Sequence, residues 1–179
     1  ITPPYTLVES YTKNFKNSNL LIGAQNCFHK DFYSSDTGAV SAFMLKKVNA
    51  KYIIVGHSDN RKEGDNDKVL KKKVLSCLSN NLRVIFCIGE NLKQKKKNLT
   101  IQTLRNQLKA VLDPKVSSKK LIIAYEPIWS IGTGLIPKKS ELANISFNIK
   151  SILKKLLKTK KAPPILYGGS VDDKNIHIF

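Results

Sequence analysis

Short apolar runs ending in small or polar residues alternate along this chain with longer stretches in which apolar residues recur every three or four positions. The runs are Leu20 to Ala24, Ala50 to Gly56, Arg83 to Ile88, Leu121 to Ala124 and Ile165 to Tyr167. They predict buried parallel strands, which need no polar face. Helical spacing predicts a short helix over Ser41 to Val48 and an amphipathic one over Asp65 to Asn80, with Val69, Leu70, Val74, Cys77 and Leu78 inward and lysines opposite. A lysine-rich linker leads to a third helix carrying Leu104, Leu108, Val111 and Leu112 on one face, stopped by Pro114. Ser140 is placed to cap a long helix striped by Leu142, Ile145, Ile149, Ile152, Leu153 and Leu156. Ser58 and Asp59 offer caps to a short helical turn after His57. Ile1 to Pro4 reads as the tail of a strand entering a Pro-rich turn, and Asp172 as the start of a helix running to Phe179.

Five strand-then-helix units therefore follow one another, each about thirty to forty residues long, the repeat of right-handed βαβ units in a parallel sheet. Two α/β architectures fit: a complete open doubly wound sheet, or about five of the eight units of a (β/α)8 TIM barrel, usually about 250 residues long. Periodicity does not choose between them. The cut-off look of both ends favours the incomplete barrel.

Composition narrows the class. With 179 residues and 41% hydrophobic content the chain can build one substantial core, so residues 1–179 are expected to form a single domain or part of one. Three cysteines, an odd number and far apart in sequence, point to reduced thiols in a cytoplasmic protein. No apolar run is long enough to span a membrane and no signal peptide opens the chain, so no membrane partner is expected. The formal charge of +18 invites a nucleic-acid partner. The lysines, however, lie in scattered clusters such as 71–73, 95–97 and 154–161, without interleaved aromatics, and read as a solvated surface.

The chemistry concentrates in LIIAYEPIWSIGTG, Leu121 to Gly134. An apolar strand delivers Glu126 to its C-terminal tip, and Pro127, Ile128, Trp129, Ser130, Ile131, Gly132, Thr133 and Gly134 follow as a hinged loop with more large apolar side chains than a solvated loop needs. A strand-tip carboxylate beside an apolar lid is a candidate general base, because ligands of parallel α/β proteins bind outside the carboxyl ends of the strands. The same residues also suit a capping carboxylate beside an ordinary loop.

AYEPIWSIGTG, with GHSDNR from Gly56, CIGE from Cys87, AQNC from Ala24 and YGGSV from Tyr167, closely resembles the triosephosphate isomerase family, in order along essentially the whole chain. The resemblance implies an incomplete (β/α)8 barrel and interconversion of dihydroxyacetone phosphate and glyceraldehyde 3-phosphate through an enediol, in glycolysis and gluconeogenesis. It also implies a cytoplasmic homodimer with no cofactor and no metal. By resemblance Glu126 is the base and His57 the electrophile; this family is itself the reference case of a histidine held neutral at a helix N-terminus. Gly132 and Ser170 are then phosphate-binding, residues 127–134 the lid, Asp59 a supporting carboxylate, and Thr37 a contact with the partner subunit. Departures accompany the matches. Asp59 stands where the family has glutamate, Asn60 replaces an arginine, and Ala39 replaces the glutamate that arginine meets. The family's electrophilic lysine and final Gly-Gly loop match nothing here, so the isolated chain is expected to be inactive and poorly folded. The alternative is a non-catalytic remnant or basic binding module built on the same fold.

Overall fold

The computed structural model describes residues 1–30 and 35–178, in two compact units, Ile1–Phe86 and Cys87–Phe179, with the boundary inside a strand. The first unit contains helix α1 (Tyr5–Asn14), strand β1 (Gly23–Ala24), helix α2 (Ala42–Lys47), strand β2 (Tyr52–Val55), helices α3 (Ser58–Lys62) and α4 (Asp67–Ser79), and the start of β3 (Arg83–Ile88). β1 pairs with β2 and β2 with β3, both parallel, in the register Ala24↔Ile53↔Val84. The fully buried Ile53, Val55, Val84 and Phe86 alternate with more exposed neighbours and form a core with Leu45, Leu70, Val74 and Cys77 from the helices.

Helix ends explain why the chain turns where it does. Ser41 Oγ accepts the Met44 N–H at 3.2 Å to start α2, and Asn66 Oδ1 accepts from Lys68 and Val69 to start α4. At the other ends Asn49 and Asn81 adopt left-handed φ of 65° and 57°. The next residues, Ala50 and Leu82, bond back across six residues to Leu45 and Cys77. Asparagine tolerates that conformation better than most residues, so both helices end in a Schellman turn that feeds the next strand.

Several sequence expectations change here. α1 was not foreseen, because only Val8 of its residues is buried and no apolar stripe announces it. The run Leu20 to Ala24 yields strand only at Gly23–Ala24; Leu20 and Leu21 are exposed. Lys73 is not on the solvated face of α4. It is buried, with Nζ 2.7 Å from Asp65 and 2.9 Å from Asn26 Oδ1, as a buried ammonium requires. The free thiols of Cys27 and Cys77, fifty residues apart, lie buried with their sulfurs 3.5 Å apart.

The second unit holds the end of β3, helices α5 (Leu92–Lys96) and α6 (Thr100–Val111), strand β4 (Leu121–Tyr125), helix α7 (Lys139–Leu156) and strand β5 (Ile165–Tyr167). β4 and β5 are parallel, with Tyr125 opposite Tyr167, and the Glu126 N–H bonds Ile88 O at the end of β3. Helix α6 packs on α7, and Leu104 and Leu108 of the one and Ile149 and Leu153 of the other are fully buried. Part of the lysine-rich linker is helical: Asn91 and Gln94 form a reciprocal capping box that starts α5. Ser140 does not cap α7, which begins one residue earlier with Lys138 at the cap position and no side-chain bond. Asp172 opens a turn, its Oδ1 accepting from Lys174 and Asn175, before a 3₁₀ turn at Ile176–Ile178; Phe179 lies outside the described residues. In each unit the strands pair in chain order. A doubly wound sheet reverses its order at a switch point, whereas consecutive pairing is the barrel pattern.

Candidate active site

The tip of β4 is held by an unusually close approach to β3. A Cβ built on Gly89 would lie 1.8 Å from the Glu126 carbonyl oxygen, so only glycine fits there. On its other side Gln107 of α6 takes the place of a strand neighbour: its Oε1 accepts the Gly89 N–H at 3.0 Å and its Nε2 donates to Gly89 O at 2.9 Å. The ladder continues past the strand, with the Ile128 N–H donating to Glu90 O at 3.0 Å. Backbone bonds thus flank Glu126 on both sides, and its half-buried carboxylate sits at the C-terminal end of the strand.

Glu90, one step beyond β3, is fully buried. The Tyr125 hydroxyl lies 3.1 and 3.2 Å from its two oxygens, and Trp129 Nε1–H donates to Oε1 at 2.8 Å. Neutral donors satisfy the carboxylate, which a buried charge demands. Burial first, and then the Glu90 charge, hold the Tyr125 hydroxyl far above its ordinary pKa. On the face of the Trp129 indole, Lys95 Nζ lies 3.6 Å from the ring centroid.

The loop of residues 127–134 divides into an anchored shoulder and an exposed tip. Ile128–Ser130 form a 3₁₀ turn. Ser130 is buried, donates to Leu135 O, and meets the Tyr167 hydroxyl at 3.1 Å. The Ser170 hydroxyl donates to Ser130 O at 2.6 Å, tying the loop after β5 to the loop after β4. Burial also raises the Tyr167 pKa. Thr133 Oγ1 donates to Trp129 O, and Gly132 and Gly134 take positive φ of 68° and 71° at the exposed tip. Pro127 is buried and Ile128 and Trp129 half-buried, but Ile131 is exposed, so the apolar content serves the shoulder more than the tip. A Cβ on Gly168 would lie 3.7 Å from Glu126 Cβ, so the glycine pair brings its loop beside the carboxylate.

In the first unit His57 lies two residues beyond the end of β2. It, rather than Ser58, caps α3: its Nδ1 accepts the Asp59 N–H at 3.3 Å, and Ser58 is the buried first residue of the helix. A ring nitrogen that accepts carries no proton, so this bond assigns the proton of the neutral imidazole to Nε2. Asp59 is exposed, with Oδ2 3.5 Å from His57 Nδ1 and Oδ1 3.2 Å from Lys62. Arg61 Nε donates to Gly56 O at 2.8 Å and fixes the strand end. Thr37 is exposed in a turn beside Gly38.

The second unit therefore brings Glu126, the Ile128–Ser130 shoulder and Ser170 together, with Gly132 at the loop tip. His57 and Asp59 adjoin in the first unit, where Thr37 also lies. Sequence reasoning assigned no site role to Glu90, Lys95, Gln107, Tyr125 or Tyr167. Glu90 had a usable signal, since it follows an apolar strand as Glu126 does; Gln107 had none, because its role depends on a helix facing a strand end. Among the described residues no three His, Cys, Asp or Glu side chains cluster to hold a metal ion.

A family model described as triosephosphate isomerase matches residues 1–179. The chain is 37% identical over 178 residues to the triosephosphate isomerase of Thermodesulfovibrio yellowstonii, covering 98% of this chain and 72% of that protein. It is 38% identical over 182 residues to that of Zygosaccharomyces bailii, covering 100% and 73%. The crystal structure of triosephosphate isomerase from Bartonella henselae superposes with a TM-score of 0.85 at 31% identity, over 98% of this chain and 72% of that one. Chain-order strand pairing and two acid-bearing strand tips agree with likenesses that run from end to end: the chain belongs to the triosephosphate isomerase family, and its five strand-and-helix units to the (β/α)8 fold.

Proposed function

We propose that Glu126 and His57 carry the interconversion of dihydroxyacetone phosphate and glyceraldehyde 3-phosphate. Glu126 removes a proton from the carbon beside the carbonyl while His57, as the Nε2–H tautomer, donates toward the carbonyl oxygen, giving an enediol. Glu126 returns the proton to the neighbouring carbon while the hydroxyl on the other carbon gives a proton back to His57, which completes an isomerisation with no net gain or loss. Backbone groups at Gly132 and Ser170 hold the phosphate. The lid, residues 127–134, covers the intermediate and excludes water that would favour loss of phosphate. The substrate is a small phosphorylated triose; the reaction draws on no metal or cofactor. The working form is a cytoplasmic homodimer acting in glycolysis and gluconeogenesis, with Thr37 reaching the partner, and nucleic acid and membrane are not partners.

One observation carries this reading. Glu126 stands at a strand tip fixed by the Gly89 approach and adjoined by both the lid and the Gly168 loop. A coupled isomerase assay tests it, run on the chain extended to the length of the relatives of which it covers 72%, because the chain alone matches neither the family's electrophilic lysine nor its final Gly-Gly loop. Removing a general base costs about 10²- to 10⁴-fold in rate, so Glu126→Ala and His57→Gln should each lower kcat by that order. Normal turnover by Glu126→Ala would refute the assignment.

A further inference from the structure

Trp129 is the single tryptophan of the chain, and it is gripped on two sides. Its N–H edge, the positive end of the indole dipole, points at the Glu90 carboxylate at 2.8 Å. Its electron-rich face receives the Lys95 ammonium at 3.6 Å from the centroid. Each charge thus meets the part of the ring that favours it. Lys95 is itself aimed: Glu141 Oε1 lies 2.6 Å from its Nζ, with both side chains only partly exposed. A lysine left to its own rotamers would spend most of its time in water. Here the carboxylate fixes the long stem over the indole.

The placement of these residues matters as much as the contacts. Lys95 lies on α5, after the CIGE strand end, whereas Glu141 is in the first turn of α7, the helix into which the lid runs. One ammonium therefore touches the start of the lid through Trp129 and the element that receives its end through Glu141. The Ile128–Ser130 turn between them has no side-chain cap of its own. We propose that Lys95 is a positioning residue of the lid: held by Glu141, its ammonium sets the Trp129 indole and with it the shoulder from which residues 131–134 swing. This inference rests on the lid reading given under Proposed function. It adds Lys95 and Glu141 to the residues on which lid placement depends.

The sole tryptophan makes the test direct. Lys95→Met keeps the stem and removes the charge, Lys95→Arg restores a cation, and Glu141→Gln removes the aiming carboxylate. Acrylamide quenching and the emission maximum of Trp129 are compared in the full chain, with far-UV circular dichroism as the control for folding. Loss of a cation–π contact shifts a two-position equilibrium by about two- to fivefold, so Lys95→Met should raise the quenching constant by about twofold or more and red-shift emission. Lys95→Arg should return both toward the parent, and Glu141→Gln should fall between. Parent-like quenching in Lys95→Met with intact helix signal overturns the proposal. If Lys95→Met does not fold, Glu141→Gln decides by the same criterion. Adding glycerol 3-phosphate to the parent sequence extended to the length of its relatives, of which it covers 72%, separates the two readings: a Trp129 signal that ignores it there counts against a ligand-responsive lid, whatever Lys95 does.

Discussion

Tyr125 stands between two demands, since its hydroxyl must supply a proton to the buried Glu90 and its own ionised form would have no solvent. Burial and that carboxylate both raise its pKa, so in the folded chain it stays protonated well past the ordinary tyrosine range near pH 10. The consequence for stability has a definite sign. Above about pH 10 the unfolded chain releases a proton that the folded chain retains, so stability falls as pH rises through that window. Tyr167, raised mainly by burial, acts in the same direction. An absorbance titration at alkaline pH should therefore show Tyr125 and Tyr167 ionising late, and together with unfolding. Tyr125→Phe should have opposite effects in two pH ranges. At neutral pH it deprives Glu90 of a donor and costs about 1–3 kcal/mol, read by urea denaturation. At alkaline pH its loss of stability should be shallower than the parent's. A variant as stable as the parent at neutral pH would mean that Trp129 alone satisfies Glu90.

At the scale of elements, the contact between the ends of β3 and β4 is where a small change has the largest predicted effect. Gly89→Ala puts a methyl group 1.8 Å from the Glu126 carbonyl, a backbone atom that cannot rotate away. The strands must separate, at a cost of about 1–3 kcal/mol or more. Because Glu126, Ile128 and Trp129 follow from that junction, Trp129 emission should change along with the urea midpoint; an unchanged spectrum would show that the junction does not set the loop of residues 127–134. The legibility of the sequence follows the same physics. β3 and β5 occupy the expected Arg83 to Ile88 and Ile165 to Tyr167, because a buried parallel strand is an apolar run whatever surrounds it. Glu126 and His57 were legible for the same reason, as polar residues at the ends of such runs. α1 was illegible because it buries one side chain, and α5 because its capping box, Asn91 with Gln94, lies among lysines that read as linker. Caps were misplaced where two polar neighbours compete: His57, not Ser58, caps α3 by accepting the Asp59 N–H, and at Ser140 the helix has already begun. Contacts such as Gln107 with Gly89 depend on which helix faces which strand, and local sequence does not carry that.

For the whole molecule the dominant unexplained quantity is charge: 31 Lys and Arg against 13 Asp and Glu, a net +18. The reading as an isomerase gives most of those cations no chemical task, and two effects of salt on them oppose each other. Short pairs such as Lys73–Asp65, nearly buried at 2.7 Å, are little affected by ions in solution, whereas repulsion among exposed lysines acts over many ångströms. The screening length falls from about 30 Å at 0.01 M to about 8 Å at 0.15 M, which removes the long-range term and leaves the short pairs. A net charge this far from zero opposes the compact state, so added salt should stabilise it. With about 1 kcal/mol corresponding to about 2–4 °C for a chain of this size, the thermal midpoint by circular dichroism should climb by a few degrees between those salt concentrations. Replacing chloride by acetate at equal ionic strength should give the same rise if screening is the cause. The alternative, a basic binding module, predicts retention on nucleic acid that survives physiological salt, whereas a merely solvated basic surface binds weakly and releases as counterions compete. A midpoint that fell with salt would mean that surface pairs outweigh repulsion and that the lysines are placed rather than merely numerous.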